Sequence, residues 1–156
     1  MDPPGLALLL VHALLAAFMA GLIWTIQIVH YPLFPAAAGP GWPSFHARHS
    51  ARITWIVGPV MAAEMVLAVW LAVAPPAGVH RATTVAAVVV LGLVHLTTAG
   101  LSVPAHGTLA AGFEAGAHRR LVATNWLRTV GWSARAVLAI VIVHQAVGPL
   151  SPRSTP

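Results

Sequence analysis

From Pro3 to Ala47 the chain contains no Asp, Glu, Lys or Arg, and the same holds from Ile53 to Ala63, Met65 to His80 and Ala82 to Phe113. An apolar run of about 18 or more residues without charge is the signature of a helix that crosses a bilayer. Prolines and glycines punctuate these runs. Tyr31-Pro32 marks the first break, because a residue before proline is pushed out of the helical region. Pro35, Gly39, Pro40, Gly41 and Pro43 continue it as a rigid loop. Pro75-Pro76-Ala77-Gly78 makes a second turn and Pro104 closes the third run. The pattern predicts an all-α fold, a four-transmembrane-helix bundle of antiparallel up-down topology. Its helices cover about residues 5–30, 44–74, 81–103 and 118–147, in a single domain over 1–150 with a disordered tail over 151–156. Ser44 is a good N-cap for the second helix. Phe45 to Arg52 are expected in the interface, and Pro59 is expected to kink the helix without ending it. Trp42 and Trp55 fit an aromatic belt on one side and Trp70 one on the other.

Composition strengthens this picture. Hydrophobic residues make up 58% of the 156 and charged residues only 7%, where a soluble domain carries about 25% charged residues. Eight Arg, no Lys, Asp2, Glu64 and Glu114 cannot cover a globule, so lipid must solvate much of the surface. The first run is too long for a signal-peptide core, and Met1 to Gly5 lacks a positive n-region, so it reads as a retained helix. Without cysteine there are no disulfides, Cys-based zinc sites, iron–sulfur clusters or thiol catalysis. The high isoelectric point reflects scarce acids rather than a basic face, which argues against a nucleic-acid partner.

Absent Lys beside abundant Ala, Gly, Pro and Arg points to a GC-rich bacterial genome and so to the bacterial inner (cytoplasmic) membrane. Four spans place both termini on one side. Arg48, Arg52, Arg119 and Arg120 share the other side, against Arg81 and Arg153 with the termini. The positive-inside rule then sets the His/Arg-rich loops in the cytoplasm.

Ionisable residues within spans face the bundle interior and are functional candidates. Trp24, Gln27 and His30 share one side of the first helix. On the second, His46 and Glu64 stand 18 residues apart, about five turns at ~3.6 residues per turn. On the fourth, His118, Asn125, Arg128 and Trp132 share a face and Arg135 trails it. Counted from Ile53 and His118, Glu64 and Arg128 both lie roughly 15 Å deep at ~1.5 Å per residue. A buried Glu64–Arg128 ion pair is expected, with Asn125 and Gln27 completing its hydrogen bonds. Whether the pair locks helix register or serves a site is open.

A second group gathers at the Arg-rich side: His30, Tyr31, His46, His49 and His106. His95, Thr98, Ser102 and His106 run down one face if the third helix continues past Pro104. Neutral imidazoles ligate Fe, Cu or Zn, which makes His30, His46, His49 and His106 candidate metal ligands. No HExxH-type signature supports the spacing, and histidines solvated by headgroups are the competing reading. Scarce acids argue against a carboxylate-rich di-iron site. His12, His80 and His144 lie towards the other side and read as incidental.

Residues 24–34 and 45–64, WTIQIVHYPLF and FHARHSARITWIVGPVMAAE, resemble a group of small bacterial four-helix membrane proteins with no assigned activity. Residues 103–138, VPAHGTLAAGFEAGAHRRLVATNWLRTVGWSARAVL, are similar to the same group. They also distantly resemble the C-terminal half of the anthrone-oxygenase-like membrane family of unknown function. Pro104, His106, Leu109, Asn125, Trp126, Arg128 and Thr129 carry that likeness, although His106 stands where that family usually has asparagine. The resemblance implies a four-helix membrane protein acting on a lipophilic aromatic or quinone-like compound.

Three functions follow. An oxygenase- or oxidoreductase-like enzyme, or a binder of such a compound, would use His30, His46, His49 and His106 as bases or ligands. Asn125 and Arg128 would stabilise a developing oxyanion. An accessory membrane subunit would use the polar core for packing, with Ala16, Gly21, Gly92, Gly100 and Gly131 at close helix contacts. A proton or small-ion transporter would need a homo-oligomer and a polar path to the far side. Expected partners are membrane lipids and a lipophilic small molecule.

Overall fold

The computed structural model describes residues 3–148, so the tail expected over 151–156 lies outside the described residues. Four spans, Pro3–Ala37, Trp42–Val73, Arg81–Ala111 and Ala115–Val147, are long and apolar enough to cross a membrane. They form an antiparallel up-down bundle, and no strand occurs among the described residues. The helices are α1 (Pro3–Thr25), α2 (Trp42–Val73), α3 (Arg81–Thr97), α4 (Val103–Ala111) and α5 (Ala115–Val147). The first and fourth spans pack together, as do the third and fourth, the second and third, and the first and second.

The first and third spans run past the prolines expected to end them. In each, the turn before the proline widens. Tyr31 N–H bonds Ile26 C=O and Val103 N–H bonds Thr98 C=O, both five residues back. Proline has no N–H, and its ring clashes with the carbonyl four residues earlier. Widening the ladder at Ile26–His30 and Thr98–Ser102 relieves the clashes at Pro32 and Pro104 and lets the chain continue. A 3₁₀ turn, Tyr31–Ala37, extends the first span, and α4 extends the third. The second span starts at Trp42 rather than Ser44, with Gly41 before it, and runs unbroken through Pro59. The fourth starts at Ala115 because the Glu114 carboxylate accepts from Gly116 and Ala117 N–H, a good N-cap arrangement.

Apolar side chains face outward: Leu14, Val66, Leu96 and Ile140 are all more than 60% exposed. Polar ones turn inward, His12, Gln27, His46, Glu64, Asn125, Arg128 and Arg135 among them. Lipid rewards this distribution and water penalises it. Trp55 and Trp70 are exposed, but Trp42 is buried and its indole donates to Leu109 C=O. Trp42 therefore pins α2 to α4 instead of joining an aromatic belt.

Of the small residues expected at close contacts, Ala16 is buried, and Gly131 is the glycine where helices touch. A Cβ there would sit 2.4 Å from Val94 Cγ2. Gly21, Gly92 and Gly100 have open space beside them.

Candidate functional site

The wide turn Ile26–His30 sets Gln27 inward and His30 at the mouth of the bundle. The first turns of α2 bring His46 and His49 to the same level, and α4 brings His106. His46 is buried, so these turns belong to the bundle and not to the interface alone.

The rings meet in two hydrogen-bonded groups. His30 Nε2 lies 2.9 Å from His49 Nδ1. His46 Nε2 lies 3.1 Å from His106 Nδ1, whose Nε2 is 3.0 Å from the Tyr31 hydroxyl. The groups touch through the rings of His49 and His106, 5.9 Å between centroids. His118 reaches over from α5 to the Tyr31 carbonyl at 2.8 Å.

A neutral imidazole has one N–H and one lone pair. His106 can therefore donate to His46 while accepting from Tyr31, or accept from His46 while donating to Tyr31. The two patterns differ by proton shifts along the chain, the requirement for a proton relay. His30, His46, His49 and His106 thus converge as the spacing suggested. Five of their eight ring nitrogens are taken up by one another and by Tyr31, and His49 Nε2 is buried without a partner. Among the described residues no three His, Asp or Glu could hold a metal ion together.

Arg128 lies beneath this cluster, nearly buried and close to Tyr31. Its Nη1 donates to Asn125 Oδ1 at 3.0 Å and to Ser102 Oγ at 3.4 Å. Asn125 in turn donates to Gln27 Oε1 at 2.8 Å. Both of its partners are neutral oxygens, and among the described residues no carboxylate pairs with this buried cation.

The expected Glu64–Arg128 pair is not formed. Glu64 pairs instead with Arg135, 3.2 Å from Nη2, and His12 stands 3.8 Å from the same carboxylate. Counted from the observed helix starts, Glu64 lies 22 residues beyond Trp42 and Arg135 lies 20 beyond Ala115, but Arg128 only 13. At ~1.5 Å per residue those depths are about 33, 30 and 20 Å. His12, read as incidental, is the third member. A guanidinium only donates, so the His12 ring accepts from Arg135 Nη2, which lies 2.8 Å from Nε2 and 3.2 Å from Nδ1. A signal for His12 existed in the sequence: Leu9, His12, Ala16, Met19 and Ile23, the buried residues of α1, recur at helical spacing.

The triad lies between two apolar clusters. Met19, Met61 and Trp132 are on the side of the histidines, and Leu9, Leu71 and Ile142 are on the other. Beyond it Val79 and Ala87 complete an apolar plug. Also beyond the triad, Thr84 is buried and bonded to Arg81 C=O, and Gln145 bonds Thr83 near the other face.

Two cavities reach the cluster: one of about 320 Å³ at His30, Phe34 and Phe45, and a second that also touches His49. The second, a lipid-facing groove of about 430 Å³ between the first and second spans, has walls of Leu22, Ile26, Ile53 and Ile56, with His30 and His49 at its inner edge. Its volume lies in the range that holds a single small molecule.

Fold and site together define a small multi-pass membrane protein with an apolar exterior and a polar core concentrated towards one face. No family model matches the chain, and no curated protein or solved structure matches it.

Proposed function

We propose that this protein takes a lipophilic molecule, aromatic or quinone-like, from the bilayer into the groove between its first and second spans. There it exchanges a proton with the histidine cluster. The carrying observation is that His30 and His49 both line the groove and belong to the hydrogen-bonded cluster. The ligand enters sideways, its apolar body lies against Leu22, Ile26, Ile53 and Ile56, and its polar head meets the His30–His49 pair. Tyr31, His106 and His46 form the adjoining relay. Arg128, held by Asn125 and Ser102 with no carboxylate partner among the described residues, favours negative charge on the Tyr31 side.

An oxygenase-like activity on such a compound is the form the family resemblance suggests. The Glu64–Arg135–His12 triad serves packing in this scheme. The chain resides in a bacterial cytoplasmic membrane with Arg48, Arg52, Arg119 and Arg120 on the cytoplasmic side, which tag-accessibility mapping tests.

The binding test is photolabelling of the full chain in nanodiscs with a lipophilic benzophenone, followed by mapping of the label. Saturable label concentrated between residues 22 and 56, and lost in His30→Ala/His49→Ala, is expected. Label spread evenly over the lipid-facing surfaces of all four spans would overturn the proposal.

A further inference from the structure

The same groove carries a charge that the histidine cluster does not use. Arg48 and Arg52 line it one helical turn apart on α2, level with His30 and His49. Residues four apart on a helix are surface neighbours, so both guanidiniums overhang the same mouth. Among the described residues neither has a carboxylate partner. The ion pairs among the described residues all involve Glu64, and Glu114 spends its oxygens on the backbone N–H groups of Gly116 and Ala117. Neither arginine hydrogen-bonds another side chain among those residues. The remainder of the wall is aliphatic, apart from Thr25 and Phe45.

We infer that the occupant of this groove is a single-chain amphiphile with a carboxylate head, its head between Arg48 and Arg52 and its chain along Ile26, Ile53 and Ile56. This rests on the reading that the groove binds a lipophile from the bilayer, and it replaces the aromatic or quinone-like class that the resemblance implies with an acyl carboxylate. Paired guanidiniums suit a carboxylate because each can offer two parallel N–H donors to its oxygens. A groove of about 430 Å³ suits one chain or ring system and not the two acyl chains of a phospholipid. The aliphatic wall runs from the arginines towards the bilayer interior, the direction in which a chain anchored by its head extends. A head held there lies at the edge of the His30–His49 pair, where a neutral imidazole can accept the proton an acid releases on binding.

The test compares diazirine-bearing stearic acid with its methyl ester, on the full chain in nanodiscs of zwitterionic phospholipid. At limiting probe the acid is expected to label residues 22 to 56 about tenfold or more above the ester. Arg48→Gln/Arg52→Gln should lower acid labelling to the ester level and leave ester labelling unchanged. Arg48→Lys/Arg52→Lys should retain most of the preference. Both arginines are exposed, so an unchanged melting temperature will show that the variants fold. Equal labelling by acid and ester in the wild type, or a preference that survives the Gln double variant, would overturn the carboxylate assignment while leaving lipophile binding intact. If neither probe concentrates in the groove, the binding reading itself fails. Repeating the experiment with phosphatidylglycerol in the nanodisc separates the other source of negative charge. Acid labelling should persist, and its abolition would identify an anionic phospholipid as the occupant and overturn the single-chain assignment.

Discussion

Arg135 on α5 reaches across the bundle to Glu64 on α2 at 3.2 Å, and neither side chain is exposed to any measurable extent. The contact joins diagonal helices at the level where the two apolar clusters meet, and His12 ties in α1. Removing one partner of a buried pair strands the other charge, at a cost of about 3–5 kcal/mol. Arg135→Gln is therefore expected to lower thermal stability in detergent sharply, and Glu64→Gln/Arg135→Gln to recover part of the loss. Arg128→Gln, with no carboxylate to strand, should cost less. A thermal-unfolding series over these variants checks the order, and an Arg128 effect larger than that of Arg135 would contradict this pairing.

The Tyr31–His106–His46 chain makes a second expectation. Each side chain in it depends on its neighbour for a partner, so the losses should not add. Tyr31→Phe and His106→Leu are each expected to cost about 1–3 kcal/mol. The double variant should cost less than their sum by roughly 1 kcal/mol, within the range seen for residues in one network. A double-mutant cycle measures that coupling, and strict additivity would mean that the hydrogen bond contributes nothing.

Gly131 and Gly92 should behave oppositely although both are helical glycines. A Cβ at Gly131 would drive into Val94, whereas Gly92 has nothing within 4 Å. Gly131→Ala is expected to destabilise by about 1–3 kcal/mol through overpacking, relieved by Val94→Ala in the same chain. Gly92→Ala should be neutral or stabilising by up to about 1 kcal/mol from helix propensity. Melting temperatures of the three variants decide it.

Glu114 supplies a pH dependence outside the spans. Backbone N–H groups of Gly116 and Ala117, followed by the more distant Arg119 and Arg120, hold its carboxyl below the ordinary glutamate range. A carboxylate whose pKa is lower folded than unfolded contributes stability above its unfolded pKa and loses it as pH falls through the folded one. Glu114→Gln should therefore melt below the wild type at pH 7, and the gap should close as pH drops below the ordinary glutamate value of about 4.5. A gap that stays constant into acid would show that the cap does not depend on charge.

Several features of the site were legible from single helices. The stripe of Gln27 and His30, the i, i+3 pair His46 and His49, and the line through Asn125 and Arg128 follow from ~100° per residue along one chain segment. His106 required the third helix to pass Pro104, which it does by widening the preceding turn. That expedient involves a carbonyl five residues back, and the single residue before proline gives no sign of it. The pairing of Glu64 was not legible. Arg128 and Arg135 are seven residues apart, nearly two full turns, and so share a face. Face alone cannot choose between them.

The sequence by itself determined that there are four spans and that Gln27, His46, Glu64, Asn125 and Arg128 turn inward. Unpaired backbone and charge are costly in hydrocarbon wherever they occur, so length, apolarity and the few polar positions suffice. The tertiary structure alone decided which inward groups meet. That depends on how far one helix slides along another. The slide was fixed by Gly131 seated on Val94, by Trp42 reaching Leu109, and by helices that start or continue several residues beyond their proline signals. A shift of two turns, about 11 Å, separates Arg128 from Arg135, and packing between helices is what sets it.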